Sequence, residues 1–351
     1  MEYDTRDLFK IETNVNFQWT ETGDLILEES VRSAAACFGI PAVSKIQEIK
    51  KRNTLSRLYR FAGKDRDIVL RAAASGGEET LETQCRIAAE LRGTAILKPL
   101  RSSHGRFVYS NHGRAWMAYA YLPGEVFSGS ADSLPGVAGD CIQLLVSLAD
   151  CGKPVGLYCM APSLAGWPQW LFPWLEQAAF EKKPFRDFIS PATRILLKKN
   201  AAAILRLARE IASESVISEV RLTHNDLNHS NIIVHNGRAS FLDVEDICYE
   251  NMNIVLGHCL FKLLRHSVYE GAQSAGEIRQ SFLSALLPWI PKNRFTLHGP
   301  EDFYRWGAVR ILSDIQMILT RIQNPKTVFR PTDLEKKIHN LFELHCLMQI
   351  P

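Results

Sequence analysis

The chain has 351 residues, of which 46% are hydrophobic and 23% charged, and its formal net charge is +3. This composition is typical of a soluble globular protein, and the small net charge argues against nucleic acid as a partner. The sequence shows no signal-peptide pattern, no run long enough to span a membrane and no Cys-x-x-Cys pair. We therefore expect a cytoplasmic protein with reduced cysteines and no membrane partner. Its length favours two lobes that share a cleft.

Short apolar runs predict a small antiparallel sheet in the amino-terminal part of the chain. The expected strands are Lys45 to Ile49, Leu58 to Ala62, Ile68 to Ala72 and Trp116 to Leu122. A helix is expected from about Glu78 to Leu91, between the third and fourth of these strands. Pro123-Gly124 then breaks the pattern, so we place a hinge near residues 116–124. Residues 1–122 would form one lobe and residues 123–351 the other.

Helical periodicity dominates the second lobe. The predicted helices are Val137 to Ala149, Pro191 to Ser213, Met252 to Tyr269, Ala275 to Leu287, Glu301 to Gln323 and Thr332 to Leu347. Between the first two, the segment Gly166 to Trp174 contains three tryptophans. Aromatic faces bind quaternary ammonium groups and stack on sugar rings, so Trp170 and Trp174 are candidate substrate contacts. The alternative is that these tryptophans pack in the core.

A group of oxygen-bearing side chains follows the second predicted helix. Asp226 and Asn231 lie in the run that begins at His224, and Asp243 comes shortly after. The spacing His-x-Asp-x-x-x-x-Asn with a downstream Asp is the one that kinases use to transfer the terminal phosphoryl group of ATP. Asp226 would accept the proton of the attacking hydroxyl. Asn231 and Asp243 would hold Mg²⁺, which prefers oxygen ligands and bridges phosphates.

A predicted hairpin brings the two metal-binding candidates together. Ile232 to Val234 and Ala239 to Leu242 are expected to form short strands. Asn236-Gly237 between them is a strong hairpin signal, because both residues tolerate positive φ. Folding the hairpin would place Asn231 beside Asp243. An ordinary surface hairpin with chance polar residues at its mouth is the alternative.

The run from Leu222 to Glu245 resembles the catalytic core of the aminoglycoside phosphotransferase and choline kinase superfamily. His-Asn-Asp and Leu-Asp-Val-Glu are closer to choline/ethanolamine kinases and N-acetylhexosamine kinases than to the usual aminoglycoside enzymes. The resemblance implies a bilobal, protein-kinase-like α+β fold, with a small antiparallel sheet in the first lobe and a larger, mainly helical second lobe. It also implies that Asp226 is the base, that Asn231 and Asp243 are metal ligands, and that His224 braces the loop.

The resemblance further implies a nucleotide site in the first lobe. Arg71 occupies the position of the basic residue that pairs with the α- and β-phosphates, and its planar fork suits phosphate. Its acidic partner on the next helix is expected to be Glu82, with Glu79 and Gln84 as alternatives. The loop after the first strand would cover the phosphates, although a solvated basic turn is equally compatible with it. Further ATP-binding candidates are Asn53, Thr54 and Ser56 of that loop and Tyr119, Tyr121 and Leu122 of the hinge.

The second lobe is expected to select the acceptor. Carboxylates at Glu245, Asp246, Glu250 and Asp314 are candidates for contact with a cationic amine. Glu245 is the first choice, with metal contact as its alternative role. Choline, ethanolamine, an amino sugar, homoserine, a sugar alcohol and an aminoglycoside remain open as acceptors. ATP against GTP and monomer against homodimer are also open.

Two other functions compete with a small-molecule kinase. A nucleotide-binding pseudokinase or scaffold is disfavoured because the three positions that pseudokinases most often lose are all present. It stays open because the phosphate loop has no glycine and because Asn253 stands where relatives have an Asp that ties down the catalytic loop. A protein kinase is disfavoured because neither Asp-Phe-Gly nor Ala-Pro-Glu occurs.

Overall fold

The computed structural model describes residues 20–21, 29–41, 46–50, 57–63, 66–74, 77–93, 96–152, 154, 156–159, 164–213, 220–270, 274–291, 294–295, 300–323 and 332–349. The strands are β1 (Thr20–Glu21), β2 (Ile46–Lys50), β3 (Arg57–Phe61), β4 (Ile68–Ala74), β5 (Pro99–Leu100), β6 (Tyr109–Asn111), β7 (Arg114–Ala120), β8 (Glu125–Val126), β9 (Val220–His224), β10 (Ile232–His235), β11 (Arg238–Phe241) and β12 (Ile247–Asn251). The α-helices are α1 (Glu29–Cys37), α2 (Glu78–Glu90), α3 (Leu134–Asp150), α4 (Phe172–Glu176), α5 (Pro191–Ser213), α6 (Met252–Glu270), α7 (Ala275–Leu286), α8 (Pro300–Ile322) and α9 (Thr332–Gln349).

An antiparallel sheet occupies the amino-terminal part of the chain. Its strand order is β1-β2-β3-β4-β7-β5, with β6 paired to β7. Side chains alternate across each strand, so the two faces of the sheet pack against different partners. Leu70 and Ala72 of β4 face the small core that contains α1 residues. Arg71, between them, therefore projects from the opposite face, the one on which Met117 and Tyr119 join the main core.

The main core lies among the helices of the carboxy-terminal part. Helix α6 is its centre: every side chain from Met252 to Phe261 is buried. It packs against α8, which in turn packs against α9. The side-chain oxygen of Asn251 caps the start of α6 by accepting hydrogen bonds from the backbone of Asn253 (3.0 Å) and Ile254 (3.3 Å). Among the described residues, no helix combines the length and apolar character needed to cross a lipid bilayer.

The predicted Asn-Gly hairpin connects β10 and β11. Ile232 pairs with Phe241 and His235 with Arg238, which leaves a two-residue turn at Asn236 and Gly237. Both turn residues have positive φ, 49° and 72°, as this type of turn requires. The open end of the hairpin faces β9 and β12, which pair so that His224 lies opposite Ile247.

A glycine connects the sheet closely to this hairpin. Gly124 has a φ of 138°, and a Cβ added to it would lie 2.6 Å from the carbonyl oxygen of Val234 and 2.8 Å from a methyl group of Ile233. The chain can therefore cross β10 here only with glycine. Immediately after the crossing, β8 pairs with β10.

The close packing of α6 and α8 predicts that Gly257→Ala destabilises the fold. An added Cβ would lie 2.6 Å from Cβ of Trp306 and 2.8 Å from the carbonyl oxygen of Phe303, so the helices would have to move apart. We expect the free energy of unfolding in urea to fall by about 1–3 kcal/mol. Gly136→Ala in α3 is the matched control, because a Cβ there meets nothing within 4 Å. An equal effect of the two substitutions would contradict this explanation.

Candidate active site

The candidate catalytic loop, residues 224–231, follows β9 and is held by a buried histidine. His224 is fully buried, and its Nε2 donates a hydrogen bond to the carbonyl oxygen of Leu242 (3.1 Å). Burial lowers the pKa of His224, so the ring is neutral near pH 7. The backbone N–H of Asn225 donates to the carbonyl oxygen of Asp246 (2.9 Å). These contacts attach the loop to the segment that follows the hairpin.

Asn231 lies beside Asp226. Its amide nitrogen donates to the backbone carbonyl oxygen of Asp226 (3.0 Å) and to the carboxylate oxygen Oδ2 (3.2 Å). The backbone N–H of Leu242 donates to the carbonyl oxygen of Asn231 (2.9 Å), which places Asn231 at the hairpin mouth next to Asp243. Because the amide nitrogen is used by Asp226, the side-chain oxygen of Asn231 is the atom suited to a cation.

Asp243 adopts a left-handed backbone conformation, with φ 58° and ψ 58°. Non-glycine residues rarely adopt this conformation, although Asp and Asn tolerate it better than most. Such conformations concentrate at functional sites, where the surrounding structure holds them in place. The turn at Asp243 separates β11 from the 3₁₀ segment Val244–Asp246.

Arg71 connects the sheet to this turn. Its guanidinium forms ion pairs with the carboxylates of Asp243 and Glu245. Burial alone would lower the pKa of Arg71, but Glu245 and Asp243 raise it above its ordinary value. The candidate phosphate ligand and the candidate metal ligand are thus in direct contact.

The prediction that Glu82 of α2 pairs with Arg71 was wrong. Glu82 accepts hydrogen bonds from the backbone N–H groups of Phe107 (3.0 Å) and Val108 (2.9 Å) instead. Glu79, the second choice, pairs with Arg106.

Gln84 of α2 faces the segment that follows the hairpin. Its amide nitrogen donates to the carbonyl oxygens of Glu245 (2.6 Å) and Ile247 (2.8 Å). Glu82 and Gln84 are separated by about 200° around the helix, so only one of them can face the site. The carboxylates that pair with Arg71 come from Asp243 and Glu245, outside the helix.

The other nucleotide candidates are placed only in part. Asn53, Thr54 and Ser56 lie outside the described residues. Tyr119 is buried, and its hydroxyl donates to the sulfur of Met117 (3.2 Å). Tyr121 and Leu122 are half-buried just beyond the end of β7. The guanidinium of Arg60 lies 3.7 Å from the centre of the Tyr121 ring.

A cavity of about 380 Å³ opens beside Asp226. The catalytic loop forms one end of it, and α6, α8 and α9 form the rest. Its size is within the range of small-molecule sites. The lining residues are Asn225, Asp226, Asn228, His229, Ser230, Asp246, His258, Lys262, Arg265, His266, Tyr269, Arg310, Asp314, Lys336 and Lys337.

The cationic residues of this cavity were not predicted from the sequence, although α6 carried a signal for them. His258, Lys262, Arg265, His266 and Tyr269 recur at helical spacing on a helix that is otherwise largely apolar. A polar stripe on a buried helix indicates a lined cavity or a polar partner. Arg310 of α8 and Lys336 and Lys337 of α9 had no comparable local signal, because they lie far from Asp226 along the chain.

Arg310 braces the catalytic loop from α8. It donates hydrogen bonds to the side-chain oxygen of Asn225 (2.6 Å) and to both carboxylate oxygens of Glu250 (2.8 Å each). Glu250 is completely buried, and burial raises its pKa even though Arg310 opposes this shift. This contact offers the loop a support that does not depend on an Asp at position 253.

Two of the candidate substrate contacts lie away from the cavity. Trp174 is 3% exposed and packs edge-on against Phe180, with ring centres 5.6 Å apart, so it is a core residue. Glu245 pairs with Arg71 and does not line the cavity. Trp170 is half-buried and is also absent from the cavity lining. Of the other carboxylates considered, Asp246 and Asp314 line the cavity, whereas Glu250 lies behind Arg310.

The carboxylates near Asp226 favour a bound cation. Burial and three neighbouring carboxylates raise the pKa of Asp246 to about 8. The neighbours are Asp226, Glu245 and Asp243. The described residues contain no cluster of three or more His, Cys, Asp or Glu side chains arranged as a metal site. The amide of Asn231 and the carboxylate of Asp243 would fit a Mg²⁺ ion that takes its remaining ligands from phosphate and water.

Comparison with known proteins places the chain in a family. A model described as the phosphotransferase enzyme family matches residues 46–274, while no curated protein matches the sequence. Amicoumacin kinase in complex with AMP-PNP and Ca²⁺ is 14% identical, with a TM-score of 0.60 over 92% of this chain and 94% of that one.

Two further solved structures are similar. An aminoglycoside phosphotransferase from Alicyclobacillus acidocaldarius is 14% identical, with a TM-score of 0.58 over 93% of this chain and 97% of that one. A microcompartment-associated aminopropanol kinase is 13% identical, with a TM-score of 0.56 over 91% and 96%. These similarities confirm the bilobal kinase-like fold. Because the family model covers more than half of the sequence, the chain belongs to the phosphotransferase enzyme family.

Proposed function

We propose that this phosphotransferase moves the γ-phosphoryl group of ATP to a hydroxyl of a small molecule bound in the cavity. The position of Asp226 is the observation that carries the proposal. Its carboxylate contacts Asn231 at the hairpin mouth, and the same residue lines the cavity. A hydroxyl bound at the Asp226 end of the cavity would therefore lie next to its base and near the phosphate-binding groups.

The reaction requires one proton transfer and one displacement. The acceptor hydroxyl gives its proton to the Asp226 carboxylate as its oxygen forms a bond to the γ-phosphorus. The bond from that phosphorus to the bridging oxygen breaks, and ADP leaves. Asn231 and Asp243 would hold Mg²⁺, which when bound neutralises phosphate charge. His224 and Arg310 act as positioning residues, since each contacts the loop and not the reacting atoms.

When ATP binds, Arg71 would replace its contacts with the carboxylates of Asp243 and Glu245 by contacts with the α- and β-phosphates. We place the lobe boundary at residues 122–123, with the backbone near Tyr121 and Leu122 on the adenine ring. Tyr119 would support that strand from within the core. The loop that contains Asn53, Thr54 and Ser56 would cover the phosphates.

A pseudokinase is the second candidate, and one observation favours it. Arg71 is already paired with Asp243 and Glu245, and nucleotide binding has to break these buried contacts. If this cost were too large, the protein would bind partners without transferring phosphate. Release of ADP that depends on an added alcohol would distinguish the enzyme from the scaffold.

We expect Asp226→Asn to lower phosphate transfer by about 10²–10⁴-fold, because the base is lost. The affinity for AMP-PNP should stay nearly unchanged, since Asp226 does not bind phosphate. Coupled ADP release and isothermal titration would measure the two effects. Asp132→Asn, at an exposed site before α3, is the matched control. Normal turnover of Asp226→Asn would overturn the assignment of the base.

We expect Asp243→Asn to weaken Mg²⁺-dependent binding of AMP-PNP by more than about tenfold, because changes even to residues that only support metal ligands cost about 10–100-fold. Asn also tolerates the left-handed conformation of this position, so the backbone should be retained. Titration of AMP-PNP with and without Mg²⁺ would measure the effect. If Mg²⁺ increased the affinity for AMP-PNP as much in the variant as in the unchanged protein, Asp243 would not be a metal ligand.

A further inference from the structure

The cavity beside Asp226 is lined by more positive than negative side chains. Five lining residues are lysines or arginines, and three are aspartates. Two of the aspartates, Asp226 and Asp246, belong to the catalytic end. The cations come from three helices: Lys262 and Arg265 from α6, Arg310 from α8, and Lys336 and Lys337 from α9.

Among the described residues that line the cavity away from the catalytic end, five are cationic and one, Asp314, is a carboxylate. Behind the walls, Glu343 pairs with Arg265 and Glu250 with Arg310, and Asp314 pairs with both Arg310 (3.3 Å) and Lys337 (2.7 Å). Positive charge is therefore in excess along this part of the lining.

The histidines of the cavity do not change this balance. Burial lowers the pKa of His229 to about 3 and also lowers the pKa of His258 and His266. All three rings are therefore neutral near pH 7 and can only supply hydrogen bonds. His229 and His266 stack with their ring centres 3.9 Å apart, which fixes one wall of the cavity.

We propose, on the basis of the phosphotransfer function above, that the acceptor is an alcohol that also carries a carboxylate or a phosphate group. Its hydroxyl would lie at Asp226, and its anionic group would bind among Lys262, Lys336 and Lys337. Charge-assisted hydrogen bonds from lysines are strong and suit either anion.

The same geometry disfavours the amines that the sequence left open. An ammonium group needs carboxylates, and three of the four carboxylates considered for that role pair with cations of the protein, while the fourth, Asp246, lies at the catalytic end of the cavity. Glu245 pairs with Arg71, Glu250 with Arg310, and Asp314 with two cations. A cationic acceptor would also be repelled by the excess positive charge of the cavity.

The state of Lys262 supports an anionic ligand. Burial, together with Lys337 and Arg265, lowers its pKa to about 7, while Asp226 opposes this shift. A bound anion would offset the nearby cations and raise the pKa of Lys262, so binding near pH 7 takes up a proton.

Binding of a carboxylate acceptor should therefore weaken as the pH rises through 7, where Lys262 loses its proton. Glu343, whose pKa is raised to about 7 by burial, gains negative charge over the same range, and this change has the same sign of effect. We expect the affinity for D-glycerate to fall about tenfold between about pH 6 and pH 9, as for a lost charged hydrogen bond. The charged and titratable groups around Lys262 include His258, Arg265 and His266 of α6, Asp226 and His229 of the loop, Arg310 and Asp314 of α8, and Lys336, Lys337 and Glu343 of α9.

Four alcohols on one three-carbon frame would test the proposal: D-glycerate, glycerol 3-phosphate, glycerol and 3-amino-1,2-propanediol. Each is added to the full-length protein, loaded with AMP-PNP and Mg²⁺ so that anions do not enter the nucleotide site, at constant ionic strength. The rise in melting temperature reports binding. We expect the two anionic alcohols to bind and the neutral and cationic ones not to. Comparison of the two anions distinguishes a carboxylate site from a phosphate site.

The double variant Lys262→Met, Lys336→Met should lose the anion response by about tenfold or more in affinity. Lys262→Arg should keep it, because it preserves the charge. The matched control is the double variant Lys198→Met, Lys199→Met on the exposed face of α5.

Three results would overturn the inference: no binding of either anion, preferential binding of the amine, or an anion response that survives the double substitution at Lys262 and Lys336. If AMP-PNP failed to bind before any alcohol was added, this result would instead contradict the proposed function.

Discussion

Arg71 and the two carboxylates that it contacts join the two parts of the molecule. The guanidinium belongs to β4, whereas Asp243 and Glu245 follow the hairpin about 170 residues later. Removing one partner of such a buried pair typically costs about 3–5 kcal/mol, because the remaining charges lose their compensation. Gln84 strengthens the same junction by donating hydrogen bonds to the backbone carbonyl oxygens of Glu245 and Ile247. The left-handed turn at Asp243 is therefore held from the sheet as well as from its own hairpin.

Charge is divided on the two sides of Asp226. Towards the sheet, carboxylates crowd around one arginine, and this side suits cations and the phosphates that accompany them. Towards α6, α8 and α9, lysines and arginines outnumber carboxylates. Opposite potentials on the two sides of one base would orient a ligand that has a hydroxyl at one end and a negative group at the other.

Local patterns in the sequence were enough to predict most of the elements. The six long helices of the second lobe start and end within a few residues of their predicted bounds, and the turn at Asn236-Gly237 has the positive φ values that its residues favour. Helical or alternating spacing is a property of neighbouring residues, so it can be read without the tertiary structure.

Contacts between distant elements were the part that the sequence could not determine. Glu82 and Gln84 are both plausible from spacing alone, and only the packing of α2 decides which one faces the site. Arg310 reaches Asn225 across 85 positions of the chain. Trp174 could have lined a pocket or the core, and the choice depended on where Phe180 packs.

The crossing at Gly124 has a consequence for inhibition. Gly124 lies directly against the backbone of β10, the strand that leads away from Asn231. A compound bound at this contact would displace the side chain of Asn231, the proposed metal ligand, without occupying either of the proposed substrate sites. Such a compound would act non-competitively towards both nucleotide and acceptor, which makes the crossing a separate target for ligand design.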